Sequence, residues 1–142
     1  MVKLIMGLKG TGKTKQMIDL VNTAVSEEAG AVICIERGKK LTYDINYKVR
    51  LVDSSHYNVD SYVMLKGFIC GLYAGNFDIS HIFIDSIYKV ANNTSLDEVA
   101  PFLEWLDVFS KENNVKFTIT VSDDIGCATE DLKKFFNFEH SA

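Results

Sequence analysis

The chain has 142 residues, the length of one ordinary domain, with 47% apolar and 24% charged residues and a formal net charge of −4. Nowhere does it approach the roughly 20 consecutive apolar residues that a membrane span needs, and an acidic balance argues against a large nucleic-acid footprint, which shows as a basic excess or stripe. The short run before Gly7 is no signal peptide, so the expectation is one domain over residues 1–142, cytoplasmic, with no membrane and no DNA partner.

Lys3 to Met6 predicts a short buried strand ending at Gly7. A glycine-rich stretch follows, and Lys13 to about Glu28 predicts a helix whose apolar face is Met17, Leu20, Val21 and Ala24. Ala31 to Ile35 is an apolar, β-branched run ending at Glu36, the pattern of a strand covered on both sides. Lys48 to Val52 carries a further, less regular strand pattern. Asp60 to Ala74 predicts a helix with Gly67 and Gly71 inside it. Each interior glycine costs about 1 kcal/mol against alanine, so a close backbone approach is expected there.

His81 to Ile84 predicts a buried strand that ends on Asp85. Ser95, with Glu98 three residues on, has the capping-box form and opens a helix with Val99, Phe102, Leu103, Leu106 and Phe109 on its core face. Pro101, the single proline, either starts that helix in earnest or kinks its first turns. Lys116 to Val121 alternates, which predicts a half-buried strand with Thr118 and Thr120 on the open side. Asp131 to Phe138 predicts a short closing helix docked by Phe135, Phe136 and Phe138. Strands and helices alternate, so the expected fold is α/β, three-layered, with a mostly parallel sheet of 4–5 strands. Glu36, Asp53, Asp85 and Ser122 end strands and should gather at the carboxyl edge of that sheet, where such folds bind ligands.

Other patterns carry less chemistry. Cys34, Cys70 and Cys127 have no metal or disulfide spacing and read as three buried thiols. His56, His81 and His140 are equally scattered. Lys39-Lys40 and Lys133-Lys134 read as solvated pairs.

Gly7-Leu8-Lys9-Gly10-Thr11-Gly12-Lys13-Thr14 matches G-x-x-x-x-G-K-[ST] in full, with an apolar strand before it and an amphipathic helix after it. A triphosphate carries several negative charges and needs many donors at short range. Glycines let successive N–H groups turn inward, and the helix start adds free N–H groups and a positive dipole end. Lys13 is expected to reach the β- and γ-phosphates and Thr14 to ligate Mg²⁺. Gly7, Gly10, Thr11, Gly12, Lys13, Thr14 and Lys15 are therefore the expected nucleotide-binding residues. Asp85, at the end of an apolar strand, is the expected acidic partner of the metal. Glu36 is the candidate catalytic group that orients the attacking water, alongside Lys13.

Together these pieces resemble the RecA-like (ASCE) branch of P-loop NTPases. The resemblance rests on Gly7 to Thr14, on Ile82-Phe83-Ile84-Asp85-Ser86, where recombinases of that branch also place Ser after the strand Asp, and on Ile33-Cys34-Ile35-Glu36, since their catalytic glutamate ends the second strand. It implies a P-loop fold, ATP and Mg²⁺. The chain is shorter than recombinases of that type, and Val121 is followed by Ser122, Asp123 and Asp124 rather than a Gln or Asn sensor, which points to a bare core and away from a DNA recombinase.

The expected function is a Mg²⁺-dependent ATPase, slow or partner-activated, whose nucleotide state controls a protein partner or a homo-oligomer. Arg37 and Arg50 are the only arginines, so an arginine finger would come from a neighbour. A nucleoside-type kinase is the first alternative, although P-loop thymidine kinases carry Glu after the strand Asp and a zinc-binding lid. The second is an interaction module that does not hydrolyse nucleotide. ATP is the default base because no Asn/Thr-Lys-x-Asp guanine motif appears.

Overall fold

A computed structural model describes residues 1–136. Five strands, β1 (Val2–Gly7), β2 (Ala31–Glu36), β3 (Arg50–Asp53), β4 (Ile79–Ile84) and β5 (Lys116–Ser122), form one sheet in the order β1-β5-β4-β2-β3. Every pairing is parallel. The helices are α1 (Lys13–Glu27), α2 (Tyr62–Gly75), the short α3 (Ile87–Val90), α4 (Val99–Asn113) and α5 (Glu130–Lys133). Among the described residues no helix is long and apolar enough to cross a membrane.

Period-2 alternation in the strands sorts side chains onto two faces. Val32, Cys34 and Phe83 meet Met17, Val21 and Ala24 of α1 on one face, together with Leu41, Ile45 and Val49 from the segment after β2. Ile33, Ile35, Ile82 and Ile84 point the other way, against Leu65 and Ile69 of α2 and Phe102, Leu103 and Leu106 of α4. These are the three layers of an α/β fold, and both faces of the sheet are dry, as parallel sheets require.

Several local expectations need correction. β5 is buried on both faces, because it lies between β1 and β4 and helices cover each side. Thr118 and Thr120 are inside and spend their hydroxyls on partners: Thr118 Oγ1 lies 2.9 Å from His81 Nε2, and Thr120 bonds the Asp85 region. The capping box at Ser95 does not form. Ser95 opens a 3₁₀ turn (Leu96–Glu98) without a side-chain cap, and its own N–H is taken by Asn93 Oδ1 at 2.8 Å. The α-helix starts at Val99, which puts Pro101 in its first turn, where a missing N–H costs little. Gly67 and Gly71 meet no close backbone: a Cβ at either would have nothing within 4 Å. Both are on the exposed side of α2. Cys34 is buried, but Cys70 and Cys127 are exposed, so the three thiols are not alike. Burial alone accounts for most of the upward push on the Cys34 thiol. Phe135 and Phe136 dock the C-terminal turn as expected, while Phe138 and His140 lie outside the described residues.

Candidate functional site

Parallel strands send all their C-terminal ends to one edge, and the segments leaving that edge build a cleft of about 480 Å³. Its walls come from four places. The glycine loop after β1 gives Lys9, Gly10, Gly12, Lys13 and Thr14; the segment after β2 gives Glu36, Arg37, Lys40 and Leu41. Asp85, Ser86 and Lys89 follow β4, and Thr120 and Ser122 end β5.

The loop is folded around one carbonyl. Leu8 C=O accepts from Thr11 Oγ1 at 2.7 Å, from Lys13 Nζ at 2.8 Å and from Thr11 N–H at 3.3 Å. Gly10 and Gly12 sit at φ +87° and +86°, a left-handed conformation that a side chain would strain. Gly7 is needed for space, since a Cβ there would stand 2.7 Å from Thr11 Oγ1. Gly12 is also the N-cap of α1, which has no side-chain cap and no acidic residue in its first turn. By contrast α2 is capped by Ser61, which accepts from Met64 N–H. The first-turn N–H groups and positive end of α1 are thus left uncompensated at the cleft.

Lys13 is 8% exposed. Burial pushes its ammonium below the ordinary lysine value, and the Asp85 carboxylate partly opposes that. Thr120, 0% exposed, donates to Asp85 Oδ1 at 2.7 Å and accepts from Ser86 N–H at 2.7 Å. One buried hydroxyl therefore fixes both the carboxylate and the backbone turn after it. That turn is sharp: Ser86 has φ +57°, which re-aims the chain into α3. Behind it, Tyr88 donates to Asp123 Oδ2 at 2.6 Å, and Asp123 N–H donates to Gly7 C=O at 3.1 Å, tying α3 to the base of the loop.

Glu36 is buried, and Leu41 N–H donates to its Oε2 at 3.1 Å. Burial raises its carboxyl above the usual range; backbone N–H groups of Leu41 and Lys40 resist this, and the Asp85 and Asp53 charges add to it. Asp53 is engaged elsewhere. It caps the 3₁₀ turn Ser54–Tyr57 and accepts from Gly38 N–H at 2.9 Å. Desolvation is the largest single influence and would raise its pKa, but bonds from Ser55 and Gly38 and the nearby His56 together outweigh it and hold it down at about 2.

Of the residues singled out from the sequence, Gly10, Gly12, Lys13, Thr14, Glu36, Asp85 and Ser122 line the cleft. Gly7 and Thr11 belong to the loop but not to the lining; Lys15 is exposed and outside the lining, and the half-buried Asp53 is outside it too. Lys9, Arg37, Lys40, Lys89 and Thr120 join the cleft without having been singled out for it. Lys40 is exposed, as a solvated lysine is, and also lines the cleft. Lys9 comes with the glycine loop, whereas no local signal marks Lys40, Lys89 and Thr120, which come from separate segments brought together by strand order.

The electrostatic result is distinctive. Five cationic side chains, Lys9, Lys13, Arg37, Lys40 and Lys89, share the cleft with only two carboxylates, Glu36 and Asp85, in a chain whose net charge is −4. Such a cleft concentrates anions. No protein-family model matches the chain, and no curated protein matches it either.

Proposed function

We propose that this cleft binds a nucleoside triphosphate, ATP, together with Mg²⁺, and that the protein is a slow or partner-activated ATPase of the RecA-like P-loop type. The observation that carries the reading is the gathering of five cations, an uncapped helix start and a glycine loop around two strand-end carboxylates. A lone anion such as sulfate needs far less than this; a polyphosphate uses all of it. The cleft volume also lies in the range of small-molecule sites.

Strand order favours the RecA-like branch over the kinase-like one. β5 lies between β1 and β4, so the Asp85 strand stands one position away from the loop strand rather than beside it. The donor set suits magnesium: a hydroxyl (Thr14) and a carboxylate (Asp85) are hard oxygen ligands in one cleft, and Mg²⁺ takes few protein ligands beside phosphates and water. Asp85 Oδ1 is held by Thr120, and its Oδ2 carries no hydrogen bond among the described residues. Bound Mg²⁺ would supply charge neutralisation between phosphate oxygens.

The chain's own groups divide the work. Loop N–H groups and the α1 start hold the phosphate chain, and Lys13 turns two remaining N–H donors to it. Glu36 is the group to orient and deprotonate the attacking water, since its raised pKa brings it toward a useful base while the Leu41 N–H holds its Oε2. Ser86 stands where many P-loop ATPases carry glutamate, and its backbone N–H is bonded to Thr120 Oγ1.

The test is thermal and calorimetric. Ligand at 100 times its Kd stabilises the folded state by about 2.7 kcal/mol, which for a chain of this size raises Tm by roughly 8 °C. Wild-type protein should show that rise with Mg·ATP, and Lys13→Ala should lose it. Titration calorimetry of wild type that registers no heat with any common nucleotide would refute the proposal.

A further inference from the structure

Three lysines in the cleft have no assigned task once the loop and the metal ligands are set aside: Lys9, Lys40 and Lys89. They come from separate segments, the glycine loop, the stretch after β2 and α3. Lys40 and Lys89 both stand beside the carboxylate half of the cleft. Lys40 directly precedes Leu41, whose N–H bonds Glu36, and Lys89 lies four residues beyond Asp85 on the helix that β4 feeds. Along the sheet edge the order is the loop off β1, Ser122 off β5, Asp85 off β4 and Glu36 off β2. A phosphate chain anchored at the α1 start and pointing to Asp85 would run toward the segments off β4 and β2 that carry Lys89 and Lys40, both of which line the same cleft.

We propose that Lys40 and Lys89 form a cis clamp for the terminal phosphate of the bound nucleotide, so that the protein tells a triphosphate from a diphosphate without an arginine lent by a neighbour. This deepens the ATP reading above and rests on it. Two ammonium groups held close together repel, and neither has a carboxylate partner in an ion pair among the described residues. Both line the same cleft, and Lys89 is pushed below the ordinary lysine value chiefly by Lys40, then by burial and Lys9, while Asp85 pulls the other way. An anion seated between them removes that repulsion. The dianionic γ-phosphate is the part of ATP that a diphosphate lacks, and charge-assisted bonds to phosphate are among the strong ones. The pair would also stabilise charge that spreads over the phosphoryl oxygens during transfer, the task an arginine finger performs elsewhere.

The experiment measures affinities of the full chain, with Mg²⁺, for a non-hydrolysable ATP analogue and for ADP, by titration calorimetry. Three proteins are compared: wild type, Lys13→Ala and the double variant Lys40→Gln/Lys89→Gln. Both lysines are exposed, so the double variant should fold, and its far-UV circular dichroism and Tm without nucleotide check this. Wild type should bind the ATP analogue about tenfold or more tighter than ADP. The double variant should bring that ratio to within about twofold by weakening the analogue and leaving ADP unchanged, while Lys13→Ala weakens both. Equal loss for both ligands in the double variant would overturn the clamp, since the lysines would then act only through the general field. So would an unchanged ratio. If wild type bound neither ligand, the nucleotide reading itself would fall, a result distinct from failure of the clamp alone.

Discussion

Thr120→Val replaces a hydroxyl by a methyl of the same shape at a position that is 0% exposed. The hydroxyl makes two bonds, one donated to Asp85 Oδ1 and one accepted from Ser86 N–H, each 2.7 Å. Losing a hydrogen bond to a charged group costs about 1.5–3 kcal/mol, and leaving a buried N–H without a partner costs about 1–3 kcal/mol. Some of that is recovered if Ser86 relaxes toward solvent, since its residue is only half-buried. The net expectation is a loss of roughly 3 kcal/mol, or about 9 °C in Tm for a chain this size. Urea unfolding, followed by circular dichroism and extrapolated to water, measures it directly. Thr118→Val on the same strand serves as the comparison. It loses one contact to the neutral ring of His81, worth about 1 kcal/mol. A loss under about 0.5 kcal/mol for Thr120→Val would refute the reasoning, because the hydroxyl would then not be holding Asp85 and the Ser86 turn. With Mg·ATP present, the variant should also show a smaller Tm gain than wild type, as Asp85 would no longer be held in place.

Other outcomes follow from the same structure. Gly71→Ala should stabilise the protein by about 0.5–1 kcal/mol in urea unfolding, because the site is exposed, helical and open around a Cβ; a loss of stability would mean that something packs on that face. Burial pushes the His81 pKa down to about 4, with Glu28 opposing this and Lys116 and the N-terminus adding to it. Against an unfolded value of about 6.5 the folded state resists the proton, so its stability is full above pH 6.5 and drains away as the pH falls toward 4. Over that window the term reaches about 3 kcal/mol. Comparing urea unfolding at pH 7 and pH 4.5, His81→Phe should lose less than wild type by roughly 2–3 kcal/mol, and equal losses would contradict a buried neutral ring. A thiol reagent should label Cys70 and Cys127 quickly in native protein and Cys34 only on unfolding, which mass spectrometry can follow.

What local pattern could reveal about the fold was the elements, and what it could not reveal was their neighbours. The runs ending at Gly7, Glu36 and Asp85 are apolar and β-branched, so their character survives any packing. β5 alternates like a half-exposed strand, yet it is central. Threonine is the reason: it is polar enough to mimic a solvent face and small enough to be buried if its hydroxyl finds a partner, as Thr118 and Thr120 do. The Ser95 motif failed for a different cause. A capping box needs the chain to enter the helix at that residue, and Asn93 instead takes the Ser95 N–H into a turn. Likewise Gly67 and Gly71 carry a propensity cost without any structural reason in their surroundings.

The site divides along the same line. Residues contiguous in sequence, Gly7 to Thr14, could be read as one unit because their spacing alone fixes a loop and a helix start. Lys40 and Lys89 are 49 positions apart and come together through one pairing. β2 and β4 are parallel neighbours with Ile35 opposite Ile84, and Asp85 N–H donates to Ile35 C=O at 2.9 Å, one step beyond the last strand residue. Glu36 and Asp85 must then end side by side, and the segments that leave them must face each other across the same edge. Had β4 been next to β1 instead, Asp85 would sit under the loop, and Lys40 would have had no lysine opposite it. The cationic bank of the cleft is thus a consequence of strand order, and exchanging either lysine for a neutral residue tests a feature that no stretch of the sequence displays by itself.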